Sequence, residues 1–353
     1  MPVYNPPGQW LRRAIESVLA QTWPRWELCI ADDASTRPAI RPLLDAFAAR
    51  DPRIKVVHRA ENGHICAAAN SALSLCTGEF TALLDHDDEL ARHALAEMAR
   101  LLHDRPEAAL VYSDEDKIDE QGRRYDPHFK PGWNPDLLLG QNYFCHLSLY
   151  RTSLLRELGG FRPGYEGAQD WDLALRAVEH LRPAQILHLP KILYHWRAIP
   201  GSTALHSDQK NYHLAAAQKA LDDAIRRRGW QATALAGTSG RWRIRHALPP
   251  GHPLVSLLVP TRNHLDILRT CLDSILRLTT YPDYEVIVID NGSDDPATLA
   301  YLSGLAAHDS RVRVLRDDRP FNYSALNNRA AREARGDVLA LVNNDIEPVT
   351  PGW

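Results

Sequence analysis

The residues best placed to do chemistry in this chain are the acids of Asp85-His86-Asp87-Asp88, which close the apolar run Phe80-Thr81-Ala82-Leu83-Leu84. Three carboxylates within four positions repel one another unless a cation joins them. Hard oxygen ligands suit magnesium or manganese carrying a phosphate-bearing substrate. A polar loop capping the next helix would use the same residue types. Repetition favours the metal. Acids also follow the run Trp26 to Ala31, at Asp32-Asp33, and the run Ala108 to Tyr112, at Ser113-Asp114-Glu115-Asp116. Ligands of open α/β sheets sit beyond the carboxyl ends of the strands, where these acids fall.

Two further groups suit the same chemistry. Asp170, in Glu166 to Asp172, precedes a helix predicted over Leu173 to His180, where the helix dipole favours a carboxylate. Capping is the ordinary role of such an Asp; taking a proton from an acceptor hydroxyl is the functional one. His195, in Leu193 to Arg197, is a candidate ligand because a carboxylate metal site lies in the same domain. Between them lies an aromatic, proline-rich loop with Tyr125, Phe129, Trp133, Tyr143 and Phe144. Such rings suit the C–H faces of sugars and equally fill an irregular core.

The elements that position these groups alternate. A helix is predicted over Trp10 to Gln21 from the spacing of Leu11, Ala14, Ile15, Val18 and Leu19. The strand Trp26 to Ala31, a helix Ile40 to Ala49, a strand Ile54 to Val57 and a helix Ala67 to Leu75 follow. The Glu79 to Leu84 run then reads as a buried strand of a parallel sheet. This order means βαβ units and an α/β, doubly wound sheet. No G-x-G-x-x-G follows the first strand, and no G-x-x-x-x-G-K-[ST] occurs. Dinucleotide dehydrogenases and P-loop ATPases are thereby disfavoured, and a diphosphate is expected to be held by metal.

A length of 353 residues suggests two domains, and 44% hydrophobic with 24% charged residues is ordinary for a soluble protein. A formal charge of −3 gives no reason to expect a nucleic-acid partner. No apolar segment approaches the roughly 20 residues that span a bilayer. The start resembles no signal peptide. Cys29, Cys66, Cys76, Cys145 and Cys271 show no paired spacing and read as free thiols of a reducing cytoplasm.

After residue 253 the opening pattern returns. Pro260 and Asn263 match Pro2 and Asn5, an offset of 258 (260 − 2 and 263 − 5). Tyr284-Glu285 matches Trp26-Glu27, Asp290-Asn291-Gly292-Ser293 matches Asp32-Asp33-Ala34-Ser35, and Asn343-Asn344-Asp345 matches Asp85-His86-Asp87. The expected organisation is a first domain over 1–228, a connector with a short strand pair over 229–252 and a second copy over 253–353, with the boundary near Pro249-Pro250. Copy two has no counterpart of Ser113 to Asp116, Asp170 or His195. Copy one lacks the strand that Leu254 to Val259 supplies in copy two, so the chain reads as a fragment or as starting upstream.

From Pro2 to Ala204, and again from Pro253, the chain resembles the family 2 glycosyltransferases of bacterial polysaccharide and O-antigen assembly. The resemblance rests on Pro2-Val3-Tyr4-Asn5, Asp32-Asp33-Ala34-Ser35, Asp85-His86-Asp87-Asp88, Tyr112 to Lys117, Glu166 to Leu173 and Tyr194-His195-Trp196-Arg197. It implies the GT-A fold, a Rossmann-like mixed sheet with helices on both faces, with one near-complete copy and a truncated second. Asp33 would bond a uracil-type base, with Pro2 and Tyr4 lining the pocket. Asp32, Asn62, Asn70, His86 and Asp114 would serve the same nucleotide-sugar site. Asp87 would hold Mn2+ or Mg2+ on the diphosphate, Asp85 the ribose or the metal's waters, His195 the metal or diphosphate, and Asp170 would be the general base. In copy two Pro260, Asp290, Asn291 and Asp345 fall at nucleotide-binding positions, with Asn291 replacing Asp33.

The function expected is an inverting, metal-dependent transferase. It would move a sugar from a UDP- or dTDP-type donor to a growing polysaccharide or lipid-linked glycan, in the cytoplasm or peripherally on the inner membrane. One base without a second nucleophilic carboxylate fits a single displacement. The rivals are a non-catalytic nucleotide-sugar-binding or scaffold module and a metal-dependent nucleotidyltransferase or hydrolase.

Overall fold

The computed structural model describes residues 1–199, 211–237, 240–248 and 250–353. Ala204, where the first stretch of resemblance ends, and Pro249 lie outside them. The chain divides into two units, Met1–His246 and Ala247–Trp353.

The first unit opens with β1 (Pro2–Val3), α1 (Gly8–Leu19), β2 (Leu28–Asp32), α2 (Ile40–Arg50), β3 (Ile54–His58), α3 (His64–Leu75) and β4 (Phe80–Ala82). Helix α1 forms because Trp10, Leu11, Ala14, Ile15 and Val18 recur on one stripe, and all five are buried. Leu11, Ile15 and Val18 pack with Leu28 and Ile30 of β2 and with Ile40, Leu44 and Phe47 of α2. Strands β1, β2 and β3 are parallel neighbours in that order.

Then come β5 (Glu89–Leu90), α4 (Ala94–Asp104), β6 (Leu110–Ile118), β7 (Arg124–His128), α5 (Pro135–Gly140), β8 (Ser148–Arg151), α6 (Thr152–Glu157), α7 (Gln169–Val178) and β9 (Ile186–Arg197). Their mixed sheet runs β4-β8-β6-β9-β5, with β7 also paired to β6. Strand β6 is buried on both faces. Leu110 and Tyr112 join one core cluster and Val111 the other, as the two-residue period of a strand requires.

Two strand expectations are corrected here. The run Glu79 to Leu84 gives only a three-residue β4, which pairs antiparallel with β8. The acids Asp114, Glu115 and Asp116 do not tip a strand but lie inside β6, buried. Interior carboxylates persist only when paired. Asp114 accepts from His188 Nε2 at 2.8 Å and from Lys130 N at 2.9 Å. Asp116 meets His195 Nδ1 and Arg124 Nε, each at 2.5 Å.

The strand pair expected in a connector belongs to the first unit. After α8 (Asn211–Arg227), β10 (Ala232–Ala236) and β11 (Trp242–His246) form an antiparallel hairpin. Ala234 and Trp242 are buried with Ala217, Ala220 and Leu221 of α8, so the division falls after His246.

The second unit consists of β12 (Val255–Thr261), α9 (Leu265–Leu278), β13 (Tyr284–Asp290), α10 (Pro296–His308), β14 (Val312–Arg316), α11 (Tyr323–Glu333) and β15 (Val338–Leu341). Its parallel sheet runs β14-β13-β12-β15. Pro260 pairs with Ile289 as Pro2 pairs with Ala31, both residues 258 positions on (260 − 2 and 289 − 31).

Glu27 ties the first unit together. Its carboxylate takes the Lys55 ammonium and the amides of Thr77 and Gly78. Burial alone would raise this carboxyl, but those donors overcome it and pull it down to about 2. The unfolded value is about 4.3. A depressed carboxylate stabilises above its unfolded value, and that contribution is lost as pH falls toward the folded one. The melting-temperature deficit of Glu27→Gln should therefore shrink between about pH 5 and about pH 2.5. Thermal melts across that range test this; a deficit independent of pH would count against it.

Candidate active site

At the end of the β4 run the chain turns through Asp85 to Asp88 before β5. Asp85 is half-buried and Asp88 is buried at 1% exposure. The Tyr194 hydroxyl donates to Asp88 Oδ2 at 2.5 Å, and the Arg197 amide donates to Asp88 Oδ1 at 2.7 Å. Burial, then the neighbouring Asp87 and Asp85 carboxylates, push the Asp88 carboxyl well up. Burial also raises Asp87.

His146 joins these acids. Asp85, Asp88 and His146 bring ligand atoms within 4.8 Å of one another. The His146 ring stacks on Tyr194, with centroids 4.6 Å apart, and meets Trp196 edge-on at 5.8 Å. Its amide donates to Glu115, and its carbonyl accepts from Lys130 Nζ at 2.7 Å. Two carboxylates suit a hard divalent cation, and the imidazole makes Mn2+ a better fit than Mg2+, with Asp88 offering the lone pairs not used by Tyr194 and Arg197.

Asp170 lies in the first turn of α7. Its Oδ1 accepts from the Trp171 amide at 2.9 Å. Its Oδ2 accepts from Cys145 Sγ at 2.9 Å and Asn142 Nδ2 at 3.1 Å. Burial, then the Asp170 charge, push the Cys145 thiol well up, so it stays a donor. Nearby Asp172 is sealed between Arg162 Nε at 3.1 Å and Arg176 Nε at 2.9 Å. Asp85, Cys145, His146, Gln169 and Asp170 line one cavity of about 1140 Å³.

The other expected residues are scattered in role. The half-buried Pro2 also lines this cavity, and Tyr4 is exposed. Asp32 is buried against His58 Nδ1 at 3.0 Å and the Ser35 amide at 3.1 Å. Asp33 is buried too, accepting from Arg59 Nε at 2.7 Å and the Gly63 amide at 3.0 Å. Asn62 Nδ2 donates to the Asp33 carbonyl at 3.2 Å. The Asn70 amide group is occupied elsewhere, bonding Phe161 O at 2.7 Å and Phe161 N at 2.8 Å. That clamp leaves no room for a Cβ on Gly160, whose φ is +71°. Asp114 is spent on Lys130 and His188, as above. His86 sits half-buried beside Asp85.

Of the expected metal ligands, Asp85 falls in the cluster. Asp87 and His195 lie outside the three-group cluster found among the described residues. Arg197 Nε donates to the Asp87 carbonyl at 2.7 Å, and the His195 ring turns to Asp116. The other two members of that cluster are Asp88 and His146. His146 carried no sequence signal, since its neighbours Tyr143, Phe144 and Cys145 match no ligand spacing.

In the second unit Pro260 is half-buried on β12 and Asp345 is exposed. Asp290 accepts from Arg316 Nη1 at 2.6 Å. The buried Asn291 donates to the carbonyls of Asp317 and Arg319, both at 2.8 Å. An amide that donates thus replaces the carboxylate that accepts at Asp33.

The sequence model of the family described as Glycosyl transferase family 2 matches residues 1–159 and 256–352. The chain belongs to that family. The Sinorhizobium fredii protein y4gI is 47% identical over this whole chain, which covers 39% of its length. O-antigen biosynthesis protein RfbC of Myxococcus xanthus is 38% identical, again over the whole chain, which covers 27% of that protein. The chain thus spans well under half of these curated relatives. Among solved structures, S. aureus TarS 1-349 in complex with UDP-GlcNAc aligns at a TM-score of 0.50 and 20% identity, covering 64% of each chain. The fold is that of the GT-A glycosyltransferases.

Proposed function

We propose that the first unit is a divalent-metal-dependent, inverting glycosyltransferase. It transfers a sugar from a UDP- or dTDP-type donor to a growing polysaccharide or lipid-linked glycan. The observation that carries this reading is that Asp85 and His146 of the cluster line one cavity with Asp170. Family membership supports the reaction class, and the names of RfbC and of the TarS complex support the glycan and the nucleotide sugar.

A bound Mn2+ or Mg2+ would offset charge developing on the leaving diphosphate. Asp85, Asp88 and His146 would hold it. Asp170 would take the acceptor hydroxyl's proton, its carboxylate oriented by Cys145 and Asn142. A single positioned base fits one displacement, hence inversion. The repeated pairing register supports reading the second unit as a partial copy of the first. The five free thiols support a cytoplasmic site, with peripheral association at the inner membrane as part of the same proposal. No helix among the described residues is long and apolar enough to cross a membrane.

The test is donor cleavage with UDP-, dTDP- and GDP-sugars and manganese. Release of nucleotide diphosphate is expected, with loss under chelation and in Asp85→Ala and His146→Ala. Nucleotide binding without turnover, even with added acceptor glycans, would instead make this unit a binding module.

A further inference from the structure

We propose that the outward face of the β10–β11 hairpin docks the first unit on a membrane, through anionic lipid headgroups. The proposal gives the peripheral association above a surface, rests on that part of the reading, and is tested apart from sugar transfer.

The hairpin register sets three arginines in one row. Leu235 pairs with Arg243 and Thr233 with Arg245, with Ala234 and Ile244 between them and no slip. The Gly237 amide donates to the Arg241 carbonyl at 2.7 Å, which carries the same ladder one pair further. Side chains alternate across a strand, so Arg241, Arg243 and Arg245 share the face opposite Trp242. Trp242 is buried with Ala234 against α8, whereas the three arginines and Thr233 are exposed.

The charges of this row are uncompensated. On the neighbouring helix, Arg226 pairs with Asp223 and Arg227 with Glu179. Among the described residues no carboxylate meets Arg241, Arg243 or Arg245. From Ala224 to Leu265 the sequence holds no Asp or Glu. In a chain of formal charge −3, positive charge is thus gathered on one open ribbon.

Phosphate is the group such a row takes, because a guanidinium fork binds its oxygens in pairs. Residues two apart on a strand stand about 7 Å from one another, so the row runs about 13 Å, too long for a single phosphate. A plane of headgroups meets it along its length. Screening over about 8 Å confines the attraction to contact, so the net negative charge elsewhere does not cancel it. Single-stranded nucleic acid is held in grooves with rings on which bases stack. This face carries no aromatic ring among the described residues. The lipid-linked acceptor of the proposed reaction also puts a bilayer beside the unit.

Co-sedimentation of the whole chain with vesicles tests this. Vesicles of phosphatidylglycerol and phosphatidylcholine in equal parts should bind the protein, and added salt should release it. Vesicles of phosphatidylcholine alone should not bind. Arg241→Gln/Arg243→Gln/Arg245→Gln should weaken binding about 100-fold, and Arg243→Gln alone about fivefold. Arg12→Gln/Arg41→Gln/Arg50→Gln removes the same charge from exposed positions of α1 and α2 and should leave binding intact. No binding to the anionic vesicles, equal binding to both kinds, or equal loss in the two triple variants would overturn the proposal. Release by duplex DNA at equal phosphate concentration would assign the face to a soluble polyanion instead. Donor cleavage without vesicles should be the same in the hairpin variants; its absence in the wild type would overturn the transferase reading and leave the docking result standing.

Discussion

Replacing Asp170 by asparagine is expected to cut sugar transfer by about 10²–10⁴-fold, the usual contribution of a general base. Nucleotide affinity should be unchanged. The prediction follows from how differently the two acid sites are built. Asp170 is approached by neutral donors, the Cys145 thiol and the Asn142 amide, and by one backbone amide. Asparagine is isosteric, and its one oxygen can keep the Cys145 and Asn142 donors while the bond from the Trp171 amide is given up, so the loop is largely held while the capacity to take a proton goes. Asp85 and Asp88, by contrast, stand in a charged cluster with His146, and their loss should act on donor and metal binding. Steady-state kinetics with separate titrations of donor and acceptor distinguish the two. A large rise in donor KM for Asp170→Asn, or full activity, would remove Asp170 from the role of base.

How much of this was legible in the sequence depended on how local the cause was. Asp85 to Asp88 stood out because an apolar run and its acids are contiguous. The βαβ order was readable from the 3.6-residue stripe of α1 and the buried run of β2. The acids of β6 misled because their burial depends on partners far along the chain. His188 lies 74 residues from Asp114, and His195 lies 79 from Asp116. His146 was invisible for the same reason: its position is set by Lys130, Glu115 and the Tyr194 ring, none of them near in sequence. Asn70 looked like a ligand for a polar cleft, yet it holds the Gly160-Phe161 turn across 91 residues. Position in sequence identified the loops that meet; only packing decided which side chain of each loop faces inward.

The second large effect concerns the gap between β2 and β4. In the second unit β12 fills the equivalent space, with Val255 to Leu258 paired to Tyr284 to Ile287 on one side and to Val338 to Leu341 on the other. Shifted by 258, those walls are Trp26 to Cys29 and Phe80 to Leu83, and all eight residues border the cavity. The Met1 ammonium lies at one end of this gap, donating to Cys29 O at 2.9 Å. Burial holds that amine below its ordinary value, a cost that a peptide N–H would not carry. Fusing the tetrapeptide of Val255–Leu258 ahead of Met1 is therefore expected to stabilise the first unit. Three aliphatic side chains would contribute roughly 1.5–3 kcal/mol each. New ladder bonds would add about 0.5–1.5 kcal/mol each. Ordering four residues opposes this by about 1–2 kcal/mol apiece. A net gain of a few kcal/mol corresponds to a rise in Tm of about 5–10 °C for a unit of this size. A Gly-Ser-Gly-Ser fusion supplies the same length without the side chains. Equal melting temperatures for the two fusions would show that the gap does not take a strand. A higher one for the aliphatic fusion, together with faster donor cleavage, would tie the wall of the Asp85 loop to the strand that supports it.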